Sequence, residues 1–437
     1  MRFLRSPSRT YEAPDGVAGG PIEDEVESGN SPAGTMGAAT EQNETLGSYF
    51  RGRIDGIKGG DLGTIPIIVG IIIIAIYFQA RNENFLTSGN FVNLVVQAAP
   101  FAVIGMGIVF VLLLGEIDLS VGFVSGVGGV IMALLLIPDG SQVSVPVAIA
   151  AAISAGVVIG LIQGLLFAKV GIPSFVVTLA GLLAWNGVVL LLIGARGTVV
   201  IQDEFINGIA NNSLSKVAGW VVIEGAVLLY ALLQYLAVRS RKKAGLPNVP
   251  WSLILLRIAG LAIGGAVVVY VLNETRGVPY VGVLVIVLML IGTYVTDRTR
   301  FGRHVYAVGG NVEASRRAGI GIDGIRIAVF MISGGMAALG GIILASRLSS
   351  VDTGAGGGSI LLYSIAAAVI GGTSLFGGRG TVRSAVLGAI VIASIDNGLG
   401  LLNVSAGTKF VVTGLVLLAA VTVDSLSRKG RESSGRA

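Results

Sequence analysis

Asp297 to Gly324 reads DRTRFGRHVYAVGGNVEASRRAGIGIDG, a 28-residue polar loop set between long apolar segments. Its second half carries the marks of a short capped helix. Gly309-Gly310 supply a turn, Asn311 is a good N-cap, and Glu313 and Ala314 fall in the first turn, where a negative charge suits the helix dipole. Arg316 and Arg317 fall in the last turn, and Gly319 followed by Ile320 suits a Schellman-type end. A helix of about two turns is marginal alone, because nucleation is costly below ~12–15 residues. It has to dock on something, either its own bundle or a separate cytoplasmic protein.

The composition places that loop in a membrane protein. The chain is 53% hydrophobic and 13% charged, with a mean hydropathy of +0.84, whereas soluble chains carry roughly 25% charged residues. It has 66 glycines in 437 residues, with no collagen-like period, which reads as close helix packing in lipid. With no cysteine, disulfides, thiolate metal sites and cysteine nucleophiles are excluded. The single histidine, His304, leaves little room for histidine-based metal or acid–base chemistry. The net charge of +5 is concentrated in a few loops, so it bears on membrane topology and not on nucleic acid.

Residues 1–60 are polar, with acidic runs such as Glu23-Asp24-Glu25, and are expected to form a disordered cytoplasmic leader. No cleavable signal peptide is expected, since the first apolar run starts near Leu62 with no A-x-A site after it. Residues 61–426 are read as the transmembrane domain and 427–437 as a cytoplasmic tail. Twelve apolar stretches approach the ~20 residues that a helix needs to cross a ~30 Å core: 62–80, 91–114, 119–137, 143–168, 174–194, 218–238, 251–272, 279–296, 325–348, 359–376, 380–402 and 407–424. The fold class expected is therefore an all-α polytopic membrane protein of about twelve transmembrane helices with a short cytoplasmic helix.

Lysine and arginine placement orients it. With the N-terminus cytoplasmic, loop 239–250 (Arg239, Arg241, Lys242, Lys243), loop 297–324 (Arg298, Arg300, Arg303, Arg316, Arg317) and the tail (Arg428, Lys429, Arg431, Arg436) all lie inside. The outer loops hold Arg81, Arg196, Lys216 and Arg276. The asymmetry is large and requires an even number of spans, so both termini are expected in the cytoplasm. Gly156, Gly160 and Gly164 recur every four residues, and Gly122/Gly126 and Gly260/Gly264 repeat the spacing, as helix–helix contacts require.

Several polar groups at membrane depth are candidates for function. GEIDLSVG, Gly115 to Gly122, joins spans 2 and 3 with almost no loop. Asp118, followed by Leu119 and Ser120, can cap span 3; Glu116, Asp118 and Ser120 can equally line a gate or cavity. No intramembrane cation stands out to support a proton relay. Gln163 in span 4, Asn93 and Gln97 in span 2, Asn186 in span 5 and Asp396-Asn397 in span 11 must face polar neighbours or a wet cavity. They form either interhelical hydrogen bonds or a passage for a hydroxyl-rich solute. Glu224 in span 6 is expected to be buried by position, unless that span is peripheral. The outer loop 195–217 is either simply solvated or a docking surface for an external partner, with Arg196, Lys216 and Arg276 as its candidate basic contacts. No G-x-x-x-x-G-K-[ST] occurs, so the chain cannot cradle ATP phosphates itself. No Ser/His/Asp set or metal-ligand cluster appears, and no cofactor is implied.

Taken in order, GEIDLSVG (115–122), GIPSFVVTLAGLLAWNGV (171–188), TRFGRHVYAVGGNVEASRRAGI (299–320) and GGTSLFGGRGT (371–381) resemble the permease subunits of bacterial ATP-binding-cassette importers for monosaccharides, the ribose, xylose, arabinose and galactose group. The resemblance covers most of residues 90–424. The insert 195–217 and the extra span pair around 218–272 are closest in layout to xylose-type permeases, while the acidic leader departs from the family's usual short N-terminus. The resemblance implies a homodimer around a central path in the inner membrane, cytoplasmic ATPase subunits below and an extracytoplasmic sugar-binding protein above. It makes 311–318 the coupling helix and gives the chain no catalytic residue. Branched-chain amino acid, autoinducer and nucleoside importers are alternatives within the same group. A twelve-span secondary transporter should show a long cytoplasmic linker between spans 6 and 7 and an obvious ion site; here the long loop falls between spans 8 and 9. A channel should show a repeated filter segment, and none is visible.

Overall fold

The computed structural model describes residues 65–138, 142–245 and 250–433. The leader assigned to 1–60 lies outside them. Among the described residues the chain forms fifteen α-helices and two three-residue strands. In chain order these are α1 (Ile65–Arg81), α2 (Ser88–Leu113), α3 (Val121–Leu135), α4 (Val145–Leu165), α5 (Ser174–Ile193), β1 (Thr198–Val200), α6 (Glu204–Asn211), α7 (Lys216–Lys243), α8 (Trp251–Asn273), α9 (Tyr280–Arg298), α10 (Arg300–Gly310), α11 (Val312–Arg317), α12 (Ile322–Leu348), β2 (Ser350–Asp352), α13 (Ile360–Ile370), α14 (Val382–Leu401) and α15 (Ala406–Ser433).

Eight of these helices are long and apolar enough to cross a membrane, and α1, α3, α13 and the first part of α15 are shorter apolar helices. The chain is a polytopic all-α membrane protein. Each of the twelve apolar stretches coincides with a helix, but the tenth departs from its expected length. Where the sequence suggested a span over 359–376, α13 has only 11 residues, ~16 Å at 1.5 Å per residue, which is half a hydrocarbon core. Gly372, Gly377, Gly378 and Gly380 then take positive φ, so the helical ladder cannot continue. Non-helical backbone at this depth is tolerated only where protein covers it, and Gly371, Thr373 and Ser374 are indeed buried. At the other end of the chain, α15 runs to Ser433, past the tail boundary expected at 427.

Two helices carry the core. α2 is buried over most of its length and packs on α12, α14, α13 and α9, while α12 packs on α2, α3 and α4. The glycine stripe of α4 is what lets α12 approach. A Cβ added at Gly156 would run into the carbonyl of Gly334, and one at Gly160 into the carbonyl of Phe330. Gly122 and Gly126 on α3 receive the 355–356 backbone in the same way. Gly260 and Gly264 differ from that expectation: no atom of the chain lies within 4 Å of a Cβ placed there. They sit on α8, which pairs with α7 at the periphery. Glu224, on α7, is exposed and not buried, because that helix offers only Gly219 to the interior.

The segment 195–217 is folded against the bundle and is not a free solvated loop. β1 pairs antiparallel with β2, Val199 opposite Val351. α6 buries Ile206, Gly208 and Ala210, and Asn211 Nδ2 donates to the Ser346 carbonyl at 2.8 Å. An apolar face on a two-turn helix is the reason: exposed alone it could not hold its shape.

Candidate functional site

The polar stretch 297–324 is mostly helix. Thr299 caps α10, its hydroxyl accepting from Gly302 N–H at 3.1 Å. Phe301, Val305 and Val308 recur at helical spacing, and the last two are buried. Phe301 stacks on Phe110 of α2 with centroids 6.5 Å apart. The turn expected at Gly309-Gly310 is therefore corrected, since both end α10 and neither has positive φ. Gly309 is there for proximity: a Cβ on it would strike the carbonyl of Leu113, whereas Gly310 faces open space. The chain turns at Asn311 instead, in extended conformation at φ −159°.

From Asn311 onward the short helix is built as its residues indicate. Asn311 Oδ1 accepts from Ala314 N–H at 2.9 Å. At the other end, Ile320 N–H reaches the Ser315 carbonyl at 3.1 Å and Gly319 N–H the Arg316 carbonyl at 3.0 Å. With Gly319 at φ +78°, this is the full Schellman pair. Ser315 is buried, while Glu313, Arg316 and Arg317 are exposed. Glu313 pairs with Arg316 at 3.2 Å and with Arg317 at 3.4 Å. Such exposed pairs contribute little, about 0.2–1 kcal/mol, so all three side chains remain open to exchange partners.

This surface is wired to the bundle. Gly378 N–H donates to the Leu113 carbonyl at 2.8 Å, and Tyr306 Oη donates to the Gly380 carbonyl at 2.7 Å, so the 371–381 and 115–122 segments meet under α10. Five residues beyond α11, α12 begins with its own ties. Asp323 pairs with Lys169 at 2.8 Å, and a groove lined by Lys169, Arg316, Ile320 and Asp323 opens there. Arg326 lies 4.5 Å from the Phe167 ring centroid and 3.8 Å from Glu116, which also accepts from Ser174 Oγ at 2.6 Å. Glu116 thus has a cation that lies 210 positions further along the chain, where no partner had been expected.

Asp118 is buried, and it does not cap α3. The cap position is Ser120, whose N–H and hydroxyl both donate to Asp118 Oδ1, at 2.9 and 2.7 Å. Ser333 Oγ of α12 donates to Oδ2 at 3.1 Å, and Gln163 Nε2 of α4 donates to Ser120 Oγ at 2.8 Å. One carboxylate therefore ties the α2–α3 connection to two core helices.

The remaining polar candidates separate. Asn397 and Asn90 exchange amide hydrogen bonds at 2.8 and 2.9 Å in the buried α2–α14 contact, with Gln97 at its margin, 3.5 Å from Asn397. Asp396, one residue away on α14, faces Tyr363 and Lys409 instead. Asn186 is half-buried on α5 and joins neither group. Of the basic residues expected on the outer side, Arg196 and Lys216 are exposed, and Arg276 donates to Asn93 at 2.6 Å. Asn273 Nδ2 donates to the Lys216 carbonyl at 3.1 Å, which joins the segments of Lys216 and Arg276; Arg196 stands apart. Arg326, Ser333, Asn90, Tyr363 and Lys409 were not singled out from the sequence, because each acquires its partner through tertiary contact alone.

Residues 90–421 match the family model described as branched-chain amino acid transport system / permease component. The chain belongs to this permease family. It is 35% identical to the xylose transport system permease protein of Escherichia coli K12, over 86% of this chain and 95% of that one. It is 30% identical to the ribose import permease protein of the same organism, over 82% of this chain and 92% of that one. Identity to its D-allose transport system permease protein is also 30%, over 84% of this chain and 92% of that one. No solved structure matches. The chain is thus a transport component and not an enzyme.

Proposed function

We infer that the chain is the transmembrane subunit of an inner-membrane ATP-binding-cassette importer for a monosaccharide, a pentose such as xylose fitting best. It works as a homodimer with twelve crossings per chain and both termini in the cytoplasm. Separate ATPase subunits drive it and an extracytoplasmic binding protein delivers the sugar. The observation that carries the reading is α11, a helix too short to persist alone that nevertheless has both ends fully capped and leaves Glu313, Arg316 and Arg317 outward. The printed names of the xylose, ribose and D-allose relatives support the solute class.

In this mechanism an ATPase groove grips α11. Its stroke passes through α10 to the Leu113–Gly378 contact and through the start of α12 to Glu116 and Ser174. Two packed arrangements of these helices would open the path to one side or the other. Lys216 and Arg276 are the outer basic residues placed to meet the binding protein. The test is co-purification and reconstitution of the chain with ATPase and binding-protein subunits of a xylose-type importer. ATP-dependent D-xylose uptake into vesicles is expected, with no hydrolysis by the isolated chain. Uptake confined to leucine or isoleucine would instead favour the branched-chain amino acid solute in the family's description.

A further inference from the structure

The Asn90–Asn397 contact is closed, but its neighbour Asp396 is not. Asp396 lies five residues before the end of α14, about 7.5 Å along the helix and on the side of the bundle away from α10. Lys409, in the first turn of α15, lies 3.5 Å from its Oδ1, and Tyr363 Oη of α13 donates to the same oxygen at 3.3 Å. The two charged side chains are 33% and 25% exposed. Arg347 of α12 lies within electrostatic reach of this carboxylate, and Thr413 and Ser359 lie beside the Tyr363 hydroxyl. Phe101 holds the tyrosine ring edge-on, with centroids 5.2 Å apart.

Charges at membrane depth are costly unless they are paired or wet, and this pair is loose, part-open and uses only one carboxylate oxygen. A carboxylate offers about four acceptor sites while ammonium and guanidinium groups only donate. Vicinal hydroxyls are both donors and acceptors, so a diol can bridge Asp396 and Lys409 without a short bond being torn first. We propose that Asp396, Lys409 and Tyr363 form a polyol-binding subsite in the outer part of the bundle, where a sugar rests after release from the binding protein. This rests on the importer reading above.

The experiment compares wild type, Asp396→Asn, Tyr363→Phe and the exchanged pair Asp396→Lys/Lys409→Asp. Each is reconstituted as the full complex and assayed with radiolabelled D-xylose. Asp396→Asn is expected to lower uptake about tenfold, with membrane abundance, thermal stability and binding-protein-stimulated ATP hydrolysis within about twofold of wild type. Tyr363→Phe, which keeps the ring, should lose about threefold. The exchanged pair should stay as poor as Asp396→Asn, because it restores the ion pair but misplaces donor and acceptor for the sugar. Recovery of uptake in the exchanged pair, unchanged uptake in Asp396→Asn, or loss of abundance in step with uptake would each overturn the subsite and make the pair a brace. Absent uptake by the wild type, of xylose and ribose alike, overturns the importer reading and the subsite with it. Normal wild-type uptake alongside a normal Asp396→Asn overturns the subsite alone.

Discussion

Gly309 and Gly310 are identical in sequence and opposite in environment. A Cβ at 309 collides with the Leu113 carbonyl, while a Cβ at 310 meets nothing within 4 Å, and neither has positive φ. Gly310→Ala should therefore be neutral, or slightly stabilising, because alanine gains up to about 1 kcal/mol over glycine in a helix. Gly309→Ala has to push α10 off the α2–α3 connection, at about 1–3 kcal/mol. Thermal unfolding in detergent should separate the two, and an equal effect of both would show that α10 does not press on Leu113.

At the scale of elements, α11 was legible from the sequence because its signals are local: Asn311, Glu313, Arg316 and Gly319 all act within one turn of their own backbone. α10 was not. Its polar residues mask an apolar stripe of Phe301, Val305 and Val308, and the Gly-Gly pair that looked like a turn is a contact surface whose partner lies nearly 200 residues earlier. The Asp118 node was half legible, since the carboxylate stood out at membrane depth, but Ser333 and Gln163 come to it through packing. In the same way Asp396 and Asn397 looked alike as neighbours, and only the roughly 100° between successive helical residues sends them to different partners. Glu313→Lys tests α11 as an element. It opposes the dipole by about 0.3–1 kcal/mol and turns two ion pairs into a three-cation patch. Because the bundle does not depend on this exposed turn, membrane abundance should be normal, while ATPase association and sugar uptake fall. Normal transport by Glu313→Lys would reduce α11 to a connector.

For the whole molecule, the proposed threading through the membrane makes the sharpest prediction. α13 is only about half a span long, so counting long helices alone does not fix the parity. On the proposed threading, segments 239–250 and 297–324, which hold dense lysine and arginine, stay in the cytoplasm, as positive segments do. On that threading the folded segment 195–217, which caps the far ends of α12 and β2, faces outward. A chain without cysteine allows single reporters to be placed cleanly. Phe205 is 65% exposed and Gly310 faces open space, so cysteine at either position should be reachable without disturbing a contact. In intact cells an impermeant thiol reagent should label Phe205→Cys and spare Gly310→Cys until the membrane is permeabilised. Labelling of Gly310→Cys in intact cells, with Phe205→Cys protected, would invert the protein and place α11 where no cytoplasmic ATPase could reach it.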